Sequence, residues 1–466
     1  MNSRANLIFE QQKKHHPAVK KTTALQRIHK LKTLKESIRK HERQIYDALR
    51  KDLGKSSFEA AVTEVILING EIDFAIKNLK SWMHPKRMGK TLSNPFAKNR
   101  IYYEPKGVCL ILSPWNYPFQ LVMAPLISSI AAGNCTIIKP SELSPATSHI
   151  IGKIIGSIFC EEEVSCIEGD KDTATQLLAL PFDHIFFTGS TSVGKIVMEA
   201  AAKNLSSVTL ELGGKSPAII DSTADLRKAA QKIAWGKLVN CGQTCIAPDY
   251  VLIHEQNADE FIGLYKDFVQ EMFFMGDEKI NPSSYGKIVN KFHFNRLKTL
   301  VDQAITEGAR IDLGGKFDEK AQVINPVVLR QVAPKSAVMT EEIFGPVLPI
   351  LTYKDLNEAI DIINQKPKPL ALYIFSQSKK NIKDILRSTS SGGACVNDVL
   401  IHIANPKLPF GGVNHSGLGS SHGFFGFKSF SHERAVVIQS KIDFSSLVYP
   451  PYEGKGRILN LLKRII

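Results

Sequence analysis

Short apolar runs alternate with stretches of three- and four-residue periodicity through the middle of the chain. "GVCLIL" (107–112) is rich in strand formers and precedes a helical stretch from Pro118 to Ala132. "CTIIK" (135–139) leads into a helical pattern from Pro145 to Ile158, and "VSCIEG" (164–169) into a polar helix near 171–179. "HIFFTG" (184–189) precedes a helix from about 193 to 203, and "SVTLEL" (207–212) closes the series. Wholly apolar strands alternating with helices predict a parallel sheet covered on both faces. Ligands bind such sheets at the carboxyl ends of the strands. Asn116, Lys139, Gly189 and Glu211 stand at or just past those ends.

A second alternation follows. "SPAIID" (216–221), "YVLIH" (250–254), "NPVVL" (325–329), "VLPILTY" (347–353) and "GGACVN" (392–397) read as strands, with helices over about 224–239 and 257–271. A second α/β domain therefore begins near residue 212. No long linker separates the two, so they pack closely with a cleft between them.

Composition and charge narrow the class. The 466 residues exceed one ordinary domain, and 43% hydrophobic with 22% charged residues is the profile of a soluble globular enzyme. No run of about 20 apolar residues predicts a transmembrane helix. The N-terminus lacks a signal-type apolar core. The net charge of +14 is concentrated: residues 1–55 hold 15 Lys/Arg against 5 Asp/Glu. Leu25, Ile28, Leu31, Leu34 and Ile38 in that segment repeat at helical spacing, so the charge reads first as the solvated face of an amphipathic helix. Attraction to an anionic surface is the alternative. Nucleic-acid binding is not expected, because neither stacking aromatics nor a recognisable module accompanies the charge.

Seven cysteines, at 109, 135, 160, 166, 241, 245 and 395, fit reduced thiols in a cytoplasmic protein better than a disulfide framework. Cys241 and Cys245 stand in "CGQTCIAP" (241–248). No second Cys/His pair of matching spacing accompanies them, so no metal is expected. A buried inert thiol is the common fate of a cysteine. The polar, glycine-bearing turn around Cys245 favours instead an exposed, activated thiolate. Cys241 reads as a packing thiol, with an oxidative bridge to Cys245 as the alternative.

Seven stretches together carry a resemblance: "PWNYP" (114–118), "KPSELSP" (139–145), "FTGSTSVGK" (187–195), "LELGGKSP" (210–217), "GQTCIAPDY" (242–250), "EEIFGPVLPI" (341–350) and "PFGGVNHSGLG" (409–419). From about residue 20 to 440 the chain resembles the aldehyde dehydrogenase superfamily, in wording closest to the class 3 and fatty-aldehyde branch. The resemblance implies two doubly wound α/β domains: a Rossmann-like cofactor domain (1–82 and 105–211) and a catalytic domain (212–400). It also implies a small β bridging segment (83–104 and 420–445) that joins subunits into a homodimer.

It further implies NAD(P)-dependent oxidation of an aldehyde to its acid, with medium- or long-chain aliphatic or aromatic aldehydes favoured. Cys245 would be the nucleophile, Asn116 an oxyanion donor and Glu211 the base that activates water. A CoA-acylating enzyme is the runner-up, discounted because such relatives usually lack the base; a catalytically silent binding protein is the other. Lys139 and Glu142 match residues near the adenosine ribose, and Glu142 would repel a 2′-phosphate, favouring NAD over NADP. Gly189, Ser190, Thr191 and Gly194 lie beside the cofactor, Glu342 holds the nicotinamide ribose, Phe344 packs near the nicotinamide, and Trp115 and Leu212 line the same cleft. Core packing stays open for Phe344, and a surface position for Lys139. The tail "GKGRILNLLKRII" places Ile458, Leu461, Leu462 and Ile465 on one stripe beside Arg457, Lys463 and Arg464. That pattern suits peripheral membrane contact, or docking on the protein itself.

Overall fold

The computed structural model describes residues 4–91, 96–276, 279–442 and 445–465. Residues 92–95 and 443–444 of the expected bridging segments, and the side chains of Leu461, Leu462, Arg464 and Ile465 in the tail stripe, lie outside the described residues. Two sheets carry the fold. The first runs in the order Gly417–Leu418, Ser207–Glu211, His184–Thr188, Val108–Leu112, Cys135–Lys139, Val164–Cys166. The last five are parallel, and Gly417–Leu418 is antiparallel to its neighbour. The chain starts mid-sheet at Val108, winds out to Val164–Cys166, then returns to the other side. The winding reverses between Val108–Leu112 and His184–Thr188, and a crevice opens past their carboxyl ends. Trp115 and Asn116 leave one of these strands; Gly189 and Ser190 leave the other.

The second sheet has seven strands, in the order Arg310–Leu313, Val327–Arg330, Val347–Tyr353, Tyr250–His254, Pro217–Ile220, Ala371–Phe375, Gly393–Val396. All pairs are parallel except the first. Val108–Leu112, Cys135–Lys139, Pro217–Ile220 and Ala371–Phe375 are buried at every position, which is why they read as unbroken apolar runs. The strand Ala371–Phe375 was not anticipated, although it pairs with both Pro217–Ile220 and Gly393–Val396. Leu212–Ser216 carries the chain from one sheet to the next, so Glu211 ends a strand of the first sheet at the passage between them.

The basic N-terminal segment is not only a solvated face. Helix Ala24–Leu53 opens on a Thr23/Gln26 capping box and stops at Gly54, φ +73°. Leu31, Leu34 and Ile38 are fully buried, packed in one core with Cys109, Ile111 and Ile138 of the first sheet. Leu25, expected on the same stripe, is instead 64% exposed at the helix start. Arg27 and Lys55 are buried. Lys86–Met88, Lys98–Pro105 and Ser431–Ile438 form a separate three-stranded antiparallel sheet, largely open to solvent.

Candidate active site

The "CGQTC" stretch is shaped by its backbone. Helix Leu226–Leu238 gives way to a turn in which Asn240 and Cys241 both have φ 53° and Gly242 has φ 72°. Consecutive left-handed residues are costly for side chains other than Asn or Gly. Polar clamps hold the turn. The Asn240 amide donates to the Glu59 carboxylate (2.8 Å), and Asn240 Nδ2 donates to the carbonyls of Asn116 (2.8 Å) and Gln243 (3.0 Å). The fully buried Gln243 side chain donates to the Asn240 and Lys287 carbonyls and accepts from the Val289 amide, each at 3.0 Å. A Cβ on Gly242 would lie 2.3 Å from the Gly345 carbonyl oxygen, so only glycine fits.

The turn sends the two thiols to different places. Cys241 points inward, 1% exposed, and touches Tyr285 and Gly286. Cys245 is half-buried and lines two chambers. One, of about 210 Å³, is walled by Trp115, Asn116, Gly189, Ser190, Glu211, Leu212, Glu342 and Phe344, with His293 and Arg296. The other, of about 230 Å³, is a tunnel walled mainly by apolar side chains, among them Val62, Leu67, Ala124, Trp235, Leu400, Ile403 and Phe410. Glu211 and Leu212 also face both.

Eight of the anticipated residues therefore meet at the first chamber with Cys245 beside them. Phe344 is not core packing: its ring lies edge-on to Trp115, 5.4 Å between centroids, on a residue with φ 50°. Lys139, Glu142, Thr191 and Gly194 lie around the chamber rather than in it. Lys139 is buried at its strand end, not on the surface, and its Nζ donates to Glu142 Oε2 at 2.6 Å. Ser190 caps helix Thr191–Lys203, and the Thr191 hydroxyl donates to the His415 carbonyl at 2.9 Å. Gly194 lets that helix close on Leu212, since a Cβ there would lie 2.7 Å from Leu212 Cδ2.

The electrostatics differ from the expected exposed thiolate. Burial first, then the nearby Glu342 and Glu211 carboxylates, push the Cys245 thiol up to about 12. The amides of Cys245 and Ile246, directed at the sulfur, oppose this. Burial raises Glu211 to about 8. Both its oxygens lack a hydrogen-bond partner. The Ser421 hydroxyl beside it lowers the value slightly but bonds the Phe410 carbonyl instead (3.3 Å). Glu342 also rises to about 8, from burial and the Asp249 charge. Asn116 is buried, its Nδ2 donating to the Gln243 carbonyl at 3.1 Å. One N–H of that amide remains available.

His293 and Arg296 were not foreseen. They stand one turn apart on helix Lys291–Thr306, and a lone His and Arg on an amphipathic helix carry no sequence signal. Burial, then Arg296, holds His293 down at about 4. The Arg296 guanidinium donates to the Glu342 carbonyl at 3.3 Å and to that of Ile343.

The aldehyde dehydrogenase family model matches residues 2–436. This chain belongs to the aldehyde dehydrogenase family. The protein AldX of Bacillus subtilis (strain 168) is 51% identical over 433 residues, covering 93% of this chain and 97% of AldX. Aldehyde dehydrogenase family 3 member A2 of Macaca fascicularis is 46% identical, over 91% of this chain and 87% of its own, in keeping with the class 3 wording of the motifs. A solved structure described as the substrate-bound state of Staphylococcus aureus AldH superposes with a TM-score of 0.95 at 42% identity, covering 99% of this chain and all of that one. The family oxidises aldehydes with NAD(P).

The chamber's residues suit such a cofactor. Gly189 and Gly213 leave bare backbone on its wall: a Cβ on Gly213 would sit 2.2 Å from Glu342 Oε2, and one on Gly189 2.5 Å from the Phe187 ring. Trp115, Leu212 and Phe344 offer apolar faces to a flat ring, and Glu342 a carboxyl to a sugar hydroxyl.

Proposed function

We propose that the chain oxidises medium- or long-chain aliphatic or aromatic aldehydes to carboxylic acids at Cys245. The observation that carries this reading is the position of Cys245 and Glu211, each facing both a polar cleft and an apolar tunnel. An aldehyde enters by the tunnel, and its chain is desolvated along the apolar wall. The Cys245 sulfur attacks the carbonyl carbon. As the C–S bond forms, the carbonyl π pair moves to the oxygen and the thiol proton passes to water in the cleft, because a thiol raised to about 12 is not ionised beforehand. The oxygen of the resulting thiohemiacetal is stabilised by the free N–H of Asn116 and by the Cys245 amide. NAD(P), when bound by Lys139, Glu142, Ser190, Glu342 and Phe344, supplies the hydride acceptor.

Glu211 then takes a proton from water as the water attacks the thioester; the C–S bond breaks, the Cys245 sulfur regains a proton from the Glu211 carboxyl, and the acid product leaves. A carboxyl near 8 that touches no donor is suited to this: strong enough as a base, and free to bond water. That base favours hydrolysis over transfer to CoA. Glu142 disfavours a 2′-phosphate, so NAD is the preferred cofactor.

The test is a chain-length series of aldehydes, followed by nicotinamide absorbance with and without CoA. Each methylene that enters the tunnel should raise kcat/KM roughly fourfold, from about 0.8 kcal/mol per buried CH₂, until the tunnel is full. A flat series, or strict dependence on CoA, overturns the reading. The domain division set out above and the homodimer belong to the same proposal. The open sheet Lys98–Pro105/Ser431–Ile438 exposes Val437 and Ile438, as a subunit contact would require. A monomer in dilute light scattering contradicts it.

A further inference from the structure

Two fully buried charged residues lie behind Asn116. Lys55 Nζ donates to Glu64 Oε1 at 2.6 Å and to the Asn116 carbonyl at 3.1 Å, and lies 3.9 Å above the Tyr117 ring. Each of its three donor directions therefore has a partner. Glu64 Oε2 accepts from the amides of Phe119 (2.9 Å) and Gln120 (3.1 Å), where helix Gln120–Ala132 begins without a side-chain cap of its own. The pair thus grips the Asn116–Gln120 segment at its first carbonyl and at its helix-opening amides.

The same stretch also grips the nucleophile turn, since Glu59 accepts from the Asn240 amide and Asn240 in turn donates to the Asn116 carbonyl. A π turn, Ala61–Val65, lies within it, and such insertions concentrate at functional sites. A buried ion pair is a poor device for stability alone, because desolvation offsets much of its attraction. Its value here lies in direction. The Asn116 carbonyl receives two donors, Lys55 and Asn240, which fixes the peptide plane from which the Asn116 side chain projects.

We propose that Lys55 and Glu64 are positioning residues that hold Asn116 in register with Cys245, so that the steps that develop charge on the substrate oxygen, thiol addition and thioester hydrolysis, depend on them, whereas cofactor binding does not. The inference rests on Asn116 acting as the oxyanion donor.

The test compares Lys55→Met, Asn116→Ala and the combined variant by the rate of the first-turnover NADH burst, with steady-state turnover and NAD affinity measured alongside. One oxyanion donor is worth ~100–1000-fold in rate. Lys55→Met should therefore slow the burst by at least ~10-fold and slow turnover with it, with NAD affinity unchanged. In the Asn116→Ala background it should add almost nothing, because the group it positions is gone. If Lys55→Met leaves Glu64 unpaired and the protein does not fold, Lys55→Met/Glu64→Leu removes both charges, and the same burst is measured on that variant. Full additivity with Asn116→Ala, or an unchanged burst in Lys55→Met, overturns the proposal. An unchanged burst in Asn116→Ala itself instead overturns the oxyanion assignment.

Discussion

The two chambers that meet at Cys245 are built on different terms. The cleft is walled by the carboxylates of Glu211 and Glu342, the Asn116 amide, the Arg296 guanidinium and bare glycine backbone. The tunnel shows little but hydrocarbon to its contents. Their sizes are similar, so volume does not separate them. In the cleft, groups at fixed positions recognise a ligand of fixed pattern. In the tunnel, recognition scales with the area desolvated and is tolerant of shape. On the proposed reading, the cleft serves the constant partner of the reaction and the tunnel the variable one. Of the proposed reacting groups, Cys245 and Glu211 face both and must be correct for each.

Removing a shared residue should erase the difference. Cys245→Ala is expected to abolish turnover, a fall on the order of 10⁵–10⁶ for loss of a covalent nucleophile, while NAD still binds because the cofactor side keeps its residues. Cys241→Ala should retain most activity, since that thiol is turned into the core. Kinetics and a cofactor titration on both variants decide the matter; an inactive Cys241→Ala beside an active Cys245→Ala would reverse the assignment.

The base ranks next. Glu211→Gln should form the acyl-enzyme in a burst of NADH and then turn over ~10²–10⁴-fold more slowly, the usual worth of a positioned base. Its pH profile follows the carboxyl. The ionised form is the active one, and its fraction grows as pH rises through about 8. Thioester hydrolysis should therefore climb close to tenfold per pH unit below 7 and level off above 8. Glu211→Gln should lose that climb. Loss of the burst itself would mean that Glu211 acts earlier, on the thiol.

A substitution in one chamber should leave the other alone. Ala124 is buried on the tunnel wall. Ala124→Phe should cut kcat/KM for the longest good aldehyde by ~10–100-fold, the range by which apolar pockets discriminate size. The shortest aldehyde and NAD affinity should barely change. Equal losses for all aldehydes would place Ala124 in the fold rather than in specificity.

Legibility in the sequence divides along the same line. Asn116, Gly189 and Glu211 could be read because they stand at or just past strand ends, and Cys245 because of its glycine-bearing turn; Trp115, Leu212, Glu342 and Phe344 came only with the family resemblance, and His293 and Arg296 with neither. The tunnel could not be read: Val62, Ala124 and Ile403 look like any core residue, and only the folded arrangement leaves space between them. Lys55 was hidden in a charge surplus that reads as solvated, yet it is fully buried, because its partner Glu64 comes from the π turn nine residues on and its acceptor from residue 116. The surroundings of Cys245 were also not legible. A polar sequence around a thiol does not reveal that burial and the charges of Glu342 and Glu211 will raise it.

The smallest expected effect on turnover concerns how apolar substrates arrive. The tunnel mouth exposes Val62, Trp235 and Ile401, an apolar rim. No helix among the described residues is long and apolar enough to cross a membrane. The chain ends in helix Gly456–Ile465, with Arg457 and Lys463 exposed and Leu459 53% exposed. We propose that this helix rests on anionic lipid headgroups. At roughly 1 kcal/mol per basic residue near such a surface, Arg457 and Lys463 supply about 2 kcal/mol at low salt, on the order of thirtyfold in partitioning. Co-sedimentation with anionic vesicles should capture the full chain, release it as salt is raised, and fail for a chain ending at Pro451. Turnover of a short, water-soluble aldehyde should be the same for both, whereas a long-chain aldehyde presented in vesicles should favour the full chain. If the shortened chain binds equally well, the basic N-terminal segment is the contact. If neither binds, the tail packs on the protein and the rim takes its substrate from water.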